Sequence, residues 1–214
     1  MKILKMSAAL VVMASLAACG GSSANVDMTP TVPTQSDSFR VVQQRALDLA
    51  EQYGPAVDAE RYTNLQALPT TGTLNYTGAG AYLLGPNAPQ NGQTILDNAD
   101  VLSRVDMQVR LTDGRVTGSA SQFYYTGNRQ RIDGNLAIRG TLDRATDTSV
   151  DYALTGTING TLQSETAGRI DVATDMYADL YGSNGRSLFG FVDGVATTAE
   201  GTDAVQGALI AERQ

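Results

Sequence analysis

The chain has 214 residues, with 22 acidic and 15 basic side chains, a net charge of −7, no histidine and a single cysteine. The acidic balance argues against nucleic-acid binding, which needs a basic surface. Without histidine the chain has no Ser-His-Asp or Cys-His catalysis and no histidine metal site, and one cysteine forms no disulfide within the chain.

The first 18 residues have the pattern of a signal peptide. Lys2 and Lys5 give a positive start, and the apolar stretch at 3–16 is too short to span a bilayer as a helix. The stretch ends in LAAC at 16–19, which resembles the lipobox of bacterial lipoproteins. This resemblance implies cleavage before Cys19 and lipidation of Cys19, whose several acyl chains would anchor the protein stably. An ordinary signal peptide with a chance cysteine is the alternative.

The residue after the cysteine bears on the destination of the protein. It is Gly20 and not an aspartate, which by analogy with enteric bacteria favours the outer membrane over the inner one. We therefore predict an outer-membrane, lipid-anchored protein, on the cell surface or on the periplasmic face. From Cys19 onward 13 arginines stand against 22 acids, a net charge of −9, so the lipid and not a basic patch must hold the protein on an anionic membrane.

A tether and a helix follow the signal. Residues 19–38 are rich in Gly, Ser, Thr and Pro without an apolar period, which predicts a flexible lipidated tether. A helix is expected over 37–53, in a helix-and-linker region at 39–69, and Gly54-Pro55 should end it. We interpret it as a packing helix laid over an end or edge of the barrel; a partner-binding helix is the alternative. Its predicted apolar stripe consists of Val41, Ala46, Leu47, Leu49 and Ala50.

Apolar and polar residues alternate with a period of two in the rest of the chain, as in half-buried antiparallel strands. Turn-like residues join consecutive runs, among them Asp113-Gly114, and only the first connection, 85–99, is long. Eight strands joined by hairpins can close and remove both edges. We predict an all-β fold: an eight-stranded antiparallel up-and-down β-barrel over 70–214, with a short N-terminal helix. The eight runs are 71–84, 100–112, 115–125, 130–142, 149–162, 168–181, 186–198 and 203–212.

The alternation alone leaves open which face is buried, because a transmembrane barrel is apolar outside and a water-soluble barrel is apolar inside. Glycine recurs on the apolar face, where it lets a narrow barrel coil tightly around bulky neighbours. Aromatic residues are too few for two membrane-interface girdles. We predict a soluble barrel with a packed interior, in which Val150 and Tyr152 face inwards and Asp179 faces water. A small transmembrane β-barrel is the alternative.

The end of the chain resembles a known family. LFGFVDGVA at 188–196, then Gly201 and QGAL at 206–209, is similar to the end of the β-barrel domain of transferrin-binding protein B, a fold shared with factor-H-binding lipoproteins. The lipobox, the tether and the meander over 70–214 are similar as well. True transferrin receptors have two lobes with handle domains, so transferrin binding is not carried over. The resemblance implies a surface-type lipoprotein barrel that binds a protein or a small solute.

Function is therefore expected to reside in binding. Carboxylates and tyrosines stand in no catalytic motif, so we predict a non-enzyme with no catalytic residues, metal site or cofactor. Its partners are the membrane, through Cys19, and a protein or small-solute ligand. Alternatives are a small-ligand carrier with an interior cavity and a structural cell-envelope lipoprotein without a specific ligand. Besides the loop at 85–99, the candidate binding residues are Tyr124, Tyr125, Tyr177 and Tyr181, which alternatively only pad the outer wall.

Overall fold

The computed structural model describes residues 35–85 and 92–214. The predicted signal, Cys19 and most of the tether therefore lie outside the described residues, as does 86–91 of the first connection. Among the described residues, no helix is both long and apolar enough to cross a bilayer.

Eight antiparallel strands form a closed barrel, in which each strand pairs with the next and the last pairs with the first. This confirms the predicted all-β, eight-stranded up-and-down architecture. In the described part of the chain, two α-helices lie outside the strands: α1 (Gln35–Asp58) before the barrel and α2 (Gly92–Asp97) in the first connection. A 3-10 helix (Leu65–Ala67) lies between α1 and the first strand. The strands are β1 (Thr73–Leu84), β2 (Val101–Arg110), β3 (Arg115–Tyr125), β4 (Arg131–Leu142), β5 (Leu154–Ser164), β6 (Gly168–Tyr181), β7 (Ser187–Thr197) and β8 (Thr202–Arg213).

Side chains fill the barrel interior. Inward-facing apolar residues from all eight strands form one buried cluster, which the side chains of Leu65 and Leu68 join from the segment between α1 and β1. Burial of each large aliphatic side chain contributes about 1.5–3 kcal/mol. The glycine-and-aliphatic face thus points to the barrel axis, as predicted. The largest inner side chains that are almost fully buried are Tyr76, Phe123, Leu74, Met107, Ile138, Leu154, Ile158 and Met176.

Strand five begins later than predicted. It starts at Leu154 and not at residue 149, so the prediction that Val150 and Tyr152 face inwards is wrong; Val150 is 84% exposed. The reason is local turn chemistry, because the side chain of Asp147 accepts hydrogen bonds from the backbone N–H and the hydroxyl of Ser149. Such side-chain contacts compete with strand pairing.

Asp179 also differs from expectation. It lies on the outward side of β6, as its parity requires, but it is buried instead of facing water. The segment before β5 covers it, and its Oδ1 accepts a hydrogen bond from the backbone N–H of Ala153 at 2.9 Å.

Helix α1 continues beyond its predicted end at Gly54-Pro55, up to Asp58. Pro55 lies in the last turn, where it has no N–H to donate to the carbonyl of residue 51, and its own carbonyl accepts a hydrogen bond from the N–H of Ala59. The predicted stripe is partly wrong, because Val41 and Leu47 are exposed. The buried stripe follows helical spacing of three and four residues: Phe39, Val42, Ala46, Leu49 and Tyr53.

The buried stripe of α1 packs on the outside of the barrel wall. Phe39 and Val42 belong to a second apolar cluster with Ala81 of β1, Leu102 of β2 and Ala208 of β8. Alanines on the wall allow close approach of the helix. The helix therefore packs on the barrel, as predicted, but it lies on the wall and not on the predicted end or edge.

Candidate binding surface on the barrel wall

The structure separates the four candidate tyrosines. Tyr124 is buried beneath α1, where its ring meets that of Phe39 edge-on at 6.0 Å between centroids. Tyr125 is half-buried against the barrel core. Tyr181 is buried behind Tyr62, and this burial, with Asp179 nearby, raises the pKa of its phenol. Only Tyr177 of the four is exposed, and it is the one that belongs to an open surface.

Two of the cavities that the described residues line are on the outside of the barrel. One, of about 510 Å³, is next to the beginning of α1 and is lined by Arg131, Asp133 and Glu165 among others. Its charged groups have partners: Arg131 pairs with Asp133 at 2.9 Å, and Glu165 accepts a hydrogen bond from the side chain of Gln130. The other, of about 320 Å³, lies between α1, α2 and β2. Among the described residues no group of three potential metal-ligating side chains comes together.

Two pairs of aromatic residues lie next to each other on the outer side of β6 and β7. Tyr177 and Phe191 are direct cross-strand neighbours. The ring of Tyr152 lies 5.7 Å from that of Tyr177, and Phe189 meets Phe191 edge-on at 5.1 Å. We call these four residues the aromatic wall. Tyr152 and Tyr177 are each 37% exposed, so the wall presents apolar area and hydroxyls to solvent.

The local sequence explains this placement. In the Phe189-Gly190-Phe191 segment the period of a strand puts both phenylalanines on one face, and the inward position is a glycine. A Cβ on Gly190 would lie within 3.0 Å of atoms of Tyr177 and Ala178 on β6, so the strands approach closely there. The two phenylalanines face outwards next to Ile210 and Ala208 of β8, and each is half-buried against the second apolar cluster.

Two carboxylates adjoin the aromatic wall. Asp175 of β6 and Asp193 of β7 are direct cross-strand neighbours, one pair along from Tyr177 and Phe191 on the same outer face. Both are exposed, and neither has a hydrogen-bond or ion-pair partner among the described residues. Like charges in this position destabilise a sheet.

Three other aspartates on the outer face have an arginine as an ion-pair partner. Arg104, Arg131 and Arg169 each pair with the aspartate two residues later, at distances of 2.7–2.9 Å. The hydrogen bonds from Arg104 and Arg169 lower the pKa of Asp106 and of Asp171. On β7 the corresponding triplet is Phe191-Val192-Asp193, so a phenylalanine stands where the other three triplets have an arginine.

Sequence reasoning found Tyr177 and missed its neighbours. Tyr152 was assigned to the barrel interior, and neither the phenylalanines of β7 nor the two aspartates were singled out. A signal was present, since phenylalanine at the polar parity of β7 breaks the Arg-x-Asp pattern that recurs on β2, β4 and β6.

No protein-family model matches this chain, and no curated protein matches it. The barrel is similar to solved structures of transferrin-binding protein B. A tryptophan variant from Haemophilus parasuis Hp5 has a TM-score of 0.46 at 13% identity, and the isotype 1 protein from serogroup B Neisseria meningitidis has 0.43 at 12%. Both matches cover 72% of this chain and 28% of the other. The intact protein Ap-TbpB, with N and C lobes, has a TM-score of 0.40 at 14% identity, over 72% of this chain and 29% of that one.

The chain thus spans less than a third of the length of these proteins. They belong to the family that the segment at 188–209 resembles. Nothing of what those proteins bind is carried to this chain.

Proposed function

We propose that this protein is a lipoprotein anchored in the outer membrane through acyl chains on Cys19, and that its barrel is a binding module for a protein partner. The anchor is supported by the lipobox at 16–19 and by the charge of −9 beyond it, which leaves lipid as the means of attachment. The tether at 19–38 would then hold the barrel away from the lipid surface.

The observation that carries the binding function is the aromatic wall. Exposed tyrosines give contact area at a low cost in side-chain entropy, and aromatic residues are enriched where proteins bind one another. The wall is wider than one strand, because Tyr177 and Phe191 sit on neighbouring strands. A surface of this kind supports contact with another macromolecule.

The filled interior supports a protein partner over a small solute. Inner side chains such as Met107, Ile138 and Met176 are at most 1% exposed. An eight-stranded barrel has room for side chains or for one small ligand, and here side chains occupy that room.

The anchor is tested by metabolic labelling with an alkyne analogue of palmitate. The wild-type chain should take up the label and Cys19→Ala should not, whereas Ser23→Ala in the same tether should label like wild type. An antibody against the barrel, applied to intact and then to permeabilised cells, identifies the membrane face. Equal labelling of wild type and Cys19→Ala would overturn the anchor.

Binding is tested by photo-crosslinking in living cells. A photoreactive phenylalanine analogue replaces Tyr177 on the aromatic wall or Gln108, an exposed outward residue of β2. We expect a discrete cross-linked protein from position 177 and none from position 108. The same products from both positions, or no product from position 177, would count against binding through the wall.

A further inference from the structure

One block of four outward side chains, two aspartates and two residues of the aromatic wall, indicates the chemistry of the partner. Asp175 and Asp193 form one cross-strand pair, and Tyr177 and Phe191 form the next pair on the same face. Directly opposed Cβ atoms lie roughly 5 Å apart and successive pairs on one face about 7 Å apart. One side chain of a partner can therefore reach both carboxylates and a ring face.

The block carries negative charge that the chain itself does not neutralise. The nearest arginine in the same row is Arg139 of β4, which is separated from Asp175 by Thr157 of β5. Two strand spacings are about 10 Å, close to the distance over which physiological salt screens exposed charges. No ion pair of either aspartate exists among the described residues.

We propose that this block is the docking point for an arginine or lysine side chain on the partner protein, an inference that rests on the proposed binding function. A guanidinium between Asp175 and Asp193 would make charge-assisted hydrogen bonds to both carboxylates. It would also lie beside the face of Tyr177, where a cation is attracted to the aromatic ring. Its methylene stem would cover Phe191. The planar guanidinium fits this combination better than an ammonium group.

A second copy of the chain does not fit the block. From Cys19 onward the chain has no lysine and a net charge of −9, so two copies repel each other. A symmetric contact through this face would also bring two pairs of carboxylates together. The occupant is therefore a different protein with a basic, partly apolar surface.

The test uses the full mature protein in neutral detergent and two peptide probes. One is acetyl-Arg-Gly-Arg-amide with an uncharged fluorophore. In the other, citrulline replaces both arginines and keeps their shape without the charge. We expect the arginine peptide to bind at least five-fold more tightly than the citrulline peptide, with an affinity that falls as salt is raised.

Two variants assign the binding to the block. Asp175→Asn with Asp193→Asn should bring the arginine peptide down to the affinity of the citrulline peptide, and the fold should persist because a repulsive pair is removed. Phe191→Arg completes the Arg-x-Asp triplet. Its guanidinium should pair with Asp193 and so abolish the preference for the arginine peptide over the citrulline peptide. Asp106→Asn on β2 is the matched control and should leave the preference unchanged.

Equal affinity for the two peptides overturns the proposal, as does a loss in Asp106→Asn as large as in the double variant. The proposal is also overturned if the wild type forms dimers and the double variant forms them more strongly. These results are distinct from failure of the proposed function, which the cross-linking at position 177 reports. A cross-linked partner together with equal peptide affinities would leave the binding module in place and remove only the cationic contact.

Discussion

Arg45 of α1 and Glu212 of β8 join the helix to the last strand of the barrel, with Arg45 Nη2 at 2.6 Å from Glu212 Oε1. The other carboxylate oxygen of Glu212 accepts a hydrogen bond from the hydroxyl of Tyr53 at 3.0 Å. One carboxylate thus holds two residues of α1 that are eight positions apart. The helix is fixed both by its apolar stripe and by this polar contact.

Because of this contact, the stability of the protein depends on pH in the acidic range. The hydrogen bond from Arg45 holds the pKa of Glu212 below its usual value of 4.5, and the Tyr53 hydroxyl adds to this effect. Because the folded-state pKa is the lower one, the stabilisation is present above pH 4.5 and is lost as the pH falls through the folded-state pKa. We predict that Glu212→Gln costs about 1 kcal/mol at pH 7 and less at pH 3. Urea unfolding at both pH values measures this, and an equal cost at both would contradict it.

Burial of the α1 stripe is tested by two leucines on the same helix. Leu49 is fully buried and Leu47 is 46% exposed. Leu49→Ala should lower the free energy of unfolding by about 2–5 kcal/mol, because it removes apolar contacts and leaves a cavity. Leu47→Ala should change it by no more than about 0.5 kcal/mol. Denaturant unfolding of the two variants decides, and similar losses would mean that α1 does not pack as described.

Gly140 of β4 and Gly156 of β5 are direct partners inside the barrel. A Cβ on Gly156 would collide with the carbonyl oxygen of Arg139 and the Cα of Gly140. We predict that Gly156→Ala lowers the free energy of unfolding by about 1–3 kcal/mol through overpacking. Gly127→Ala in the turn after β3, where a new Cβ meets nothing within 4 Å, is the control and should stay near wild type. If thermal melting shows equal shifts for both variants, close strand approach is not the reason for the glycine.

The buried phenol of Tyr82 makes the stability of the protein depend on pH in the alkaline range. Burial inside the barrel raises its pKa from 10 to about 12, although its hydroxyl lies 3.2 Å from that of Ser103. Because the folded-state pKa is the higher one, the stabilisation is complete below pH 10 and is lost as the pH rises through about 12. Between pH 10 and 12 the free energy of unfolding of Tyr82→Phe should therefore fall less steeply with pH than that of the wild type. The two slopes should differ by up to about 1.4 kcal/mol per pH unit. Urea midpoints at pH 9, 10 and 11 measure the slopes, and parallel slopes would refute this assignment.

The strands were predictable because their signal is local. A period of two belongs to each strand by itself, and the observed bounds of β3 and β6 equal the predicted ones. Strand five was predicted too early, because apolar residues at 150 and 152 continue the pattern into a segment that the side chain of Asp147 holds in a turn. The pattern does not report such competition between a side chain and the sheet.

The binding surface was only partly predictable. Parity places Tyr177 and Tyr181 on the outer face, and an irregularity in β3 between Ala120 and Phe123 turns Tyr124 outwards as well. Helix α1 covers Tyr124, and the Tyr62 segment covers Tyr181. Only Tyr177 stays open. The partners of Tyr177 come from β7 and from the loop before β5, and their closeness follows from register and not from spacing along the chain.

The sequence by itself determined that eight strands alternate, because a period of two belongs to the residues of each strand. The inward face was predicted from the glycines on the apolar side and from the small number of aromatic residues, and closure was predicted from the number of strands. The tertiary structure alone decided which outward residues meet water. Exposure on the wall depends on which distant segment crosses it, and the pairing of Asp175 with Asp193 beside two rings depends on the register between β6 and β7. Both are relations between residues far apart in the chain, and local periodicity carries no information about them.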